Sequence, residues 1–203
     1  MKRLLVATSN RHKVEEIAAM LGTGWQVESL QAHPQVQLPE ETGSTFAANA
    51  QLKAEAASRH LPELWVLADD SGLEVDALGG RPGVYSARFA GPGANDAQNR
   101  ARLKEELAAL RVAGDVGPWS GRFCCALVLA RGGRMLECCE GRVEGRLLEL
   151  EQGAGGFGYD SMFVPQGHEQ SFGLLSAEIK NALSHRARAL AALLPKLQAL
   201  TAS

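Results

Sequence analysis

Leu64-Trp65-Val66-Leu67-Ala68-Asp69-Asp70-Ser71-Gly72 is the stretch on which the reading of this chain turns. Five apolar residues in a row fit a strand buried on both faces. The two carboxylates that follow stand at its C-terminal end, where open α/β sheets place their ligands. The chain has only six aspartates, and two of them meet here. Adjacent carboxylates repel unless a cation or a proton intervenes. A turn in which Asp69 or Asp70 bonds the backbone near Ser71-Gly72 accounts for the same residues structurally. The expectation is a strand that stops at Asp69.

Working outward, Arg3 to Thr8 reads as a second buried strand. A helix follows it, carrying Val14, Ile17, Ala18 and Leu21 at helical spacing and closed by Gly22. Trp25 to Leu30 alternates as a strand. After a loop with Pro34 and Pro39, Ser44 or Thr45 caps an alanine-rich helix from Phe46 to about Arg59. Downstream, Asn95 or Asp96 caps a helix to about Arg111. Phe123–Ala130 and Arg134–Arg142 form a hairpin across Gly132-Gly133, and Gly153–Gly158 is a glycine-dense loop. Ser176 to Leu200 reads as helix, broken near Pro195. Strands alternating with helices, then a hairpin, predict a mixed α/β sheet in a single domain over residues 1–203.

Charge excludes several classes. The chain has 203 residues, 21 Lys and Arg against 23 Asp and Glu, and a formal net charge of −2. That balance speaks against duplex nucleic acid as main partner and against a polybasic membrane anchor. No apolar run approaches the ~18 residues of a membrane span, and the apolar start is too short for a signal peptide, so a cytoplasmic protein is expected. The cysteines form two adjacent pairs, Cys124-Cys125 and Cys138-Cys139. Neighbours on a strand point to opposite faces, so reduced core thiols are expected.

Five segments carry candidate chemistry. Thr8-Ser9-Asn10-Arg11-His12-Lys13 lies between a strand and a helix, where free backbone N–H groups and the positive helix end suit an anion. Cap chemistry alone also explains Ser9 or Asn10. Cations near a helix N-terminus oppose the macrodipole, a conflict that a bound anion would remove. Asp69-Asp70 is the second segment. Glu40-Glu41 is the third; two acidic pairs resemble the hard oxygen donors that Mg²⁺ requires, although acids before a helix are also ordinary. Lys53 shares a helix face with Asn49 and borders an apolar stripe, where a lysine can simply snorkel. In Gly155–Asp160, Phe157 or Tyr159 can stack on a base and Asp160 can accept from a ring N–H; a tight bend with core aromatics is the plainer reading. Lys180 and Ser184 are one helical step apart, and His185-Arg186 offer donors, or form a solvated helix face.

Together these segments resemble the inosine triphosphate pyrophosphatase family, also called Ham1-like. The matching stretches are Leu5–Lys13, Glu40–Ala54, Ala68–Arg88, Phe157–Asp160 and Ser184–Arg186, in order along nearly the whole chain. The resemblance implies Mg²⁺-dependent hydrolysis of ITP, dITP and XTP to monophosphate and pyrophosphate. It implies a homodimer and an elongated mixed sheet flanked by helices, with two lobes and a central substrate cleft. Carried over by position, Thr8, Ser9, Asn10, Arg11, His12 and Lys13 match the triphosphate-binding segment. Glu40 and Asp70 match the metal carboxylates, with Asp70 also the general base, and Ser71 and Lys53 match substrate contacts. Phe157, Gly158, Tyr159, Asp160, Lys180, His185 and Arg186 match base-recognition and substrate-contact positions. Ser161 stands where the family usually has proline, and Ser171–Leu175 departs from its usual pattern. The rivals are a nucleotide-binding regulator without catalysis and a pyrophosphatase for modified pyrimidine nucleotides.

Overall fold

The structure, a computed structural model, describes residues 2–202; Met1 and Ser203, the ends of the expected single domain, lie outside the described residues. Six strands, β1 (Lys2–Val6), β2 (Trp25–Ser29), β3 (Trp65–Val75), β4 (Ser120–Arg131), β5 (Arg134–Leu147) and β6 (Phe163–Pro165), form one sheet in the order β2-β1-β3-β4-β5-β6. The helices are α1 (Arg11–Leu21), α2 (Phe46–His60), α3 (Asp96–Val112), α4 (Ala177–Leu183) and α5 (His185–Ala202). β1 pairs in parallel with both β2 and β3, and β6 is antiparallel to β5. The mixed α/β sheet expected from the sequence is therefore present.

The chain divides into two compact units. The first holds residues up to Asp70, Cys125–Gly141 and the segment from His185; the second holds Ser71–Cys124 and Arg142–Ser184. In the first unit, the chain moves from β1 to β2 in one direction along the sheet and returns past β1 to β3. Right-handed crossovers in opposite directions put α1 and α2 on opposite faces. The packing follows. Ala50, Ala54 and Ala57 of α2 lie on Leu5, Ala7, Val66, Ala68, Ala126 and Val128. On the other face, Ile17 of α1 and Leu190, Leu193 and Leu197 of α5 cover Leu4, Val6, Leu67, Leu127 and Leu129. Alternate residues of each strand serve alternate faces, so these strands read as continuous apolar runs.

The second unit is built around Phe123, Phe163 and Phe172. The ring centroids of Phe163 and Phe172 stack at 5.7 Å, and Phe123 tilts against Phe163 at 4.7 Å. Leu103 and Leu107, one turn apart on α3, complete this core with Trp119, Tyr159 and Met162. Phe172 lies in the segment Ser171–Leu175, which this core thereby ties down.

Three expectations need correcting. The strand does not stop at Asp69: β3 runs through Asp69-Asp70-Ser71-Gly72 to Val75. The C-terminal helical region breaks at Ser184, whose backbone is extended (φ −65°, ψ 163°), so Lys180 and Ser184 do not share a continuous helix face. Pro195 lies inside α5, where the burial of Leu190, Leu193 and Leu197 outweighs one lost backbone hydrogen bond. The four cysteines are free, as expected. Burial raises the pKa of the Cys124 thiol to about 12, with Glu74 adding to it, and holds that of Cys125 well above its usual value. Neither is a reactive thiolate at neutral pH.

Candidate active site

The pleat of β3 separates the two aspartates. Neighbours on a strand face opposite ways, and here each face supplies its own cations. Asp69, fully buried, points toward α1 and α5. Its Oδ1 lies 2.5 Å from Lys13 Nζ, and its Oδ2 accepts from Arg186 Nε at 2.8 Å and from the Cys125 thiol at 3.2 Å. Arg186 Nη1 also donates to Glu16, which ties α5 to α1. Burial alone would raise the pKa of Asp69, but Arg186 and Lys13 outweigh it and hold the carboxyl well below its usual range.

Asp70 points the other way, toward α2. Lys53 Nζ has three acceptors for its three protons: Glu41 Oε1 at 2.6 Å, the Asp69 carbonyl at 2.8 Å and Asp70 Oδ1 at 3.1 Å. Asn49, one turn before Lys53, donates from Nδ2 to Asp70 Oδ2 at 3.2 Å. Burial and then the neighbouring Glu41 raise the pKa of Asp70, while Lys53 and Lys13 act against them. Lys53 does not snorkel; it is buried. Burial would lower its pKa, yet Asp70 and Glu41 raise it overall. Two carboxylates about one ammonium leave this cluster with one net negative charge.

The acidic pair before α2 divides as well. Glu41 is the member that meets Lys53, whereas Glu40, the expected partner of Asp70, is exposed. The approach of this segment to α2 depends on Gly43. Its N–H donates to Asn49 Oδ1 at 2.7 Å, and a Cβ there would stand 2.7 Å from that same oxygen and 2.8 Å from the Ala48 Cβ. Thr45, not Ser44, caps α2.

The segment after β1 is a cap with its own counter-charges. Asn10 Oδ1 accepts from the backbone of His12 and Lys13, and Thr8 Oγ1 accepts from Asn10 N. Thr8 is buried, and Ser9, Arg11 and His12 are exposed. Arg11 pairs with Glu15 one turn along, and Lys13 with Asp69. The conflict of cations with the helix dipole is therefore met within the protein, and it no longer requires a bound anion. His185 and Arg186 are not a solvated face: both are buried at the start of α5.

In the second unit, the glycine-dense loop is closed over the buried Asp160 carboxylate. Asp160 Oδ2 accepts from Phe157 N at 2.8 Å and lies 2.5 Å from Lys180 Nζ, and both charged groups are buried. Lys180 Nζ also sits 4.6 Å from the centre of the half-buried Phe157 ring. Gly156 has φ +72°, and a Cβ there would lie 2.1 Å from Asp160 Oδ2, so only glycine lets the loop fold over this carboxylate. Tyr159 is a core residue. Its ring is buried and its hydroxyl donates to the Ser86 carbonyl at 2.8 Å, which removes it as a stacking platform and leaves Phe157. Ser161 donates to Glu151 Oε2 at 2.9 Å, a use for the hydroxyl that replaces the usual proline. Ser71 is half-buried in β3.

The sequence singles out Asp69 and Arg186, but not Cys125 against the first or Glu16 against the second. Glu16 meets Arg186 across 170 positions, and no local pattern announces such a pair. Among the described residues no group of three or more His, Cys, Asp and Glu side chains converges as a closed metal cage. Glu41 and Asp70 offer two hard carboxylates converging on one lysine. That donor set fits Mg²⁺, which is typically held by one or two carboxylates with substrate phosphates completing its shell.

The Ham1 family profile matches residues 4–196. A dITP/XTP pyrophosphatase of Geobacillus kaustophilus is 48% identical over 191 residues, covering 94% of this chain and 91% of the relative. That of Deinococcus radiodurans is 49% identical over 195 residues, covering 96% and 92%. Among solved structures, a HAM1 protein from Coxiella burnetii superposes with a TM-score of 0.83 at 36% identity, covering 97% of this chain and 98% of that one. A nucleoside-triphosphatase, or dITP/XTP pyrophosphatase, from Mycobacterium abscessus gives 0.69 at 40% identity, covering 95% and 99%. With its motifs in family order and the family profile spanning residues 4–196, the chain belongs to the Ham1 family.

Proposed function

We propose that this protein hydrolyses non-standard purine nucleoside triphosphates, ITP, dITP and XTP, to the monophosphate and pyrophosphate. The observation that carries the chemistry is the buried Asp70 carboxylate, set beside Glu41 and anchored by Lys53 and Asn49. Relatives named dITP/XTP pyrophosphatases, matched over more than nine-tenths of both chains, support the substrate class.

Asp70 is the general base. Its raised pKa brings it toward the range in which a carboxylate takes a proton efficiently. Asn49 and Lys53 fix the carboxylate, so its orientation is set before substrate arrives. Water adds to the α-phosphorus, its proton passes to Asp70, and the bond from that phosphorus to the bridging oxygen of pyrophosphate breaks. Lys13, part-exposed beside Asp69, stabilises charge on the phosphate oxygens, aided by the positive end of the α1 dipole, while Lys53, its three protons taken, acts by holding Asp70. Asp70 and the acidic pair Glu40-Glu41 would hold Mg²⁺, which when bound neutralises triphosphate charge and polarises the phosphorus under attack.

For the base, Phe157 supplies the stacking face and Lys180 a donor suited to a 6-oxo group. Adenine presents a 6-amino group to that donor and is disfavoured. The resemblance further supports a homodimer, which light scattering would read as twice the 21.6 kDa of one chain. Cytoplasmic location belongs to the same proposal; no helix of the described residues is long and apolar enough to cross a membrane.

The test is turnover of ITP, dITP, XTP, GTP, ATP and dUTP with Mg²⁺, scoring pyrophosphate against orthophosphate. Pyrophosphate from the first three is expected, with loss of turnover in EDTA. Asp70→Asn should abolish turnover while dITP still binds. Orthophosphate without pyrophosphate would overturn the assignment of the attacked phosphorus, and full activity of Asp70→Asn would remove Asp70 as the base.

A further inference from the structure

Both polar groups of Gly158 are held by α3. Its N–H donates to Asp96 Oδ2 at 2.7 Å, and its carbonyl accepts from Arg100 Nη1 at 2.8 Å. Asp96 and Arg100 are one helical turn apart, so one face of α3 grips the glycine from both sides. Arg100 Nε in turn lies 2.8 Å from Glu151 Oε2, which also takes the Ser161 hydroxyl, while Lys104, one turn further along α3, holds Glu151 Oε1 at 2.6 Å. Asp96 is not needed as a helix cap. Asn95 and Gln98 form a complete capping box, the side chain of each accepting from the backbone N–H of the other.

The need for such a grip is physical. Gly153, Gly156 and Gly158 all have positive φ, and a loop so rich in glycine is costly to order. Gly158 lies between Phe157, whose ring covers Lys180, and Tyr159, whose hydroxyl is fixed on Ser86. Fixing its two peptide groups therefore fixes the backbone from which the Phe157 side chain projects. Rejecting a base for one substituent demands donors and walls held in place, because a mobile pocket accommodates the wrong base.

We infer that Asp96 and Arg100 are positioning residues for base discrimination: they touch no substrate and set the geometry of the Phe157–Asp160 loop that reads the base. This rests on the dITP-directed reading above.

The test measures kcat/KM for dITP and dATP in the wild type, Asp96→Ala, Asp96→Asn, Arg100→Met and Arg100→Lys. Asp96→Ala and Arg100→Met should cut the dITP:dATP ratio by about tenfold, chiefly through KM for dITP. Asp96→Asn keeps an oxygen acceptor for Gly158 N–H and should hold the ratio within about twofold, whereas loss of helix-end charge alone would make it behave like the alanine variant. Arg100→Lys should recover part of the ratio. Asp96 is exposed and Arg100 half-buried, so folded variants are expected, checked by circular dichroism. An unchanged ratio in folded Asp96→Ala and Arg100→Met would overturn the clamp alone. A wild type that failed to release pyrophosphate from dITP would overturn the underlying activity, and the clamp's role with it.

Discussion

Asp69→Asn is the sharpest probe of the buried charges. The side chain keeps its size and one oxygen acceptor and loses its charge. In the native protein that charge faces Lys13 at 2.5 Å and Arg186 at 2.8 Å, and the Arg186 side chain is only 1% exposed. With Asp69 neutral, Arg186 retains Glu16 as a counter-charge, and Lys13 turns to what solvent it can reach. Breaking a buried pair by removing one partner costs about 3–5 kcal/mol; the oxygen kept by asparagine and the Glu16 contact place this case near the lower end, about 3 kcal/mol. At about 2–4 °C per kcal/mol for a chain of this length, Tm should fall by about 6–12 °C.

The pH dependence gives a second reading. The native pKa of Asp69 lies below its unfolded value, so its stabilisation is fully present above the ordinary carboxylate value of 3.8 and is lost as pH falls through the depressed native value. Urea titrations followed by circular dichroism should show a constant gap between wild type and variant from about pH 5 to pH 8, narrowing below about pH 3. Adding Arg186→Met to Asp69→Asn removes the stranded cation, so the double variant should lose less than the two singles summed, by about 1–3 kcal/mol. A gap under about 1 kcal/mol at pH 7, or strict additivity, would refute the claim that these groups form one coupled cluster.

Gly43→Ala forces a Cβ to 2.7 Å from Asn49 Oδ1, so it should cost about 1–3 kcal/mol and reduce kcat for dITP by displacing Glu41; urea midpoints and steady-state kinetics would show both. Tyr159→Phe deletes a buried hydroxyl that donates to Ser86, and should cost about 1 kcal/mol while leaving kcat/KM for dITP within about threefold. A loss beyond tenfold would mean that the Tyr159 side chain acts on substrate.

What was legible in the sequence was local. Asn10, Thr45 and Asn95 stand as helix caps because a short polar side chain before an apolar-periodic run has few other uses. The apolar strands declared themselves by composition, since both faces are covered. Illegible features depended on distant partners. A strand that continues through two aspartates looks forbidden until its cations are counted, and these come from Lys13, Lys53 and Arg186, up to 117 positions away. The division of Glu40 from Glu41 was equally hidden, because it rests on how the segment before α2 packs against that helix, with Gly43 on Asn49 and Glu41 on Lys53. Pro195 misled for the opposite reason: its local veto on helix is real, but tertiary burial along α5 is stronger.

The two aspartates show how one local pattern can serve two purposes. As a sequence, Asp69-Asp70 invites a single reading: two acids at one site, both for metal or both for a turn. The pleat forbids that, because consecutive side chains leave a strand on opposite faces. On the α5 face the cations outweigh desolvation and lock Asp69 as an ion that is unavailable to take a proton at neutral pH. On the α2 face burial, aided by Glu41, outweighs Lys53 and Lys13 and raises Asp70 toward the range of a working base. The same pair of residues thus supplies a permanent anion that organises Lys13 and Arg186 and, one peptide further on, a group suited to gaining and losing a proton. An exchange of charge at either position should therefore fail differently: Asp69→Asn through stability and the placement of Lys13, Asp70→Asn through chemistry with the fold intact.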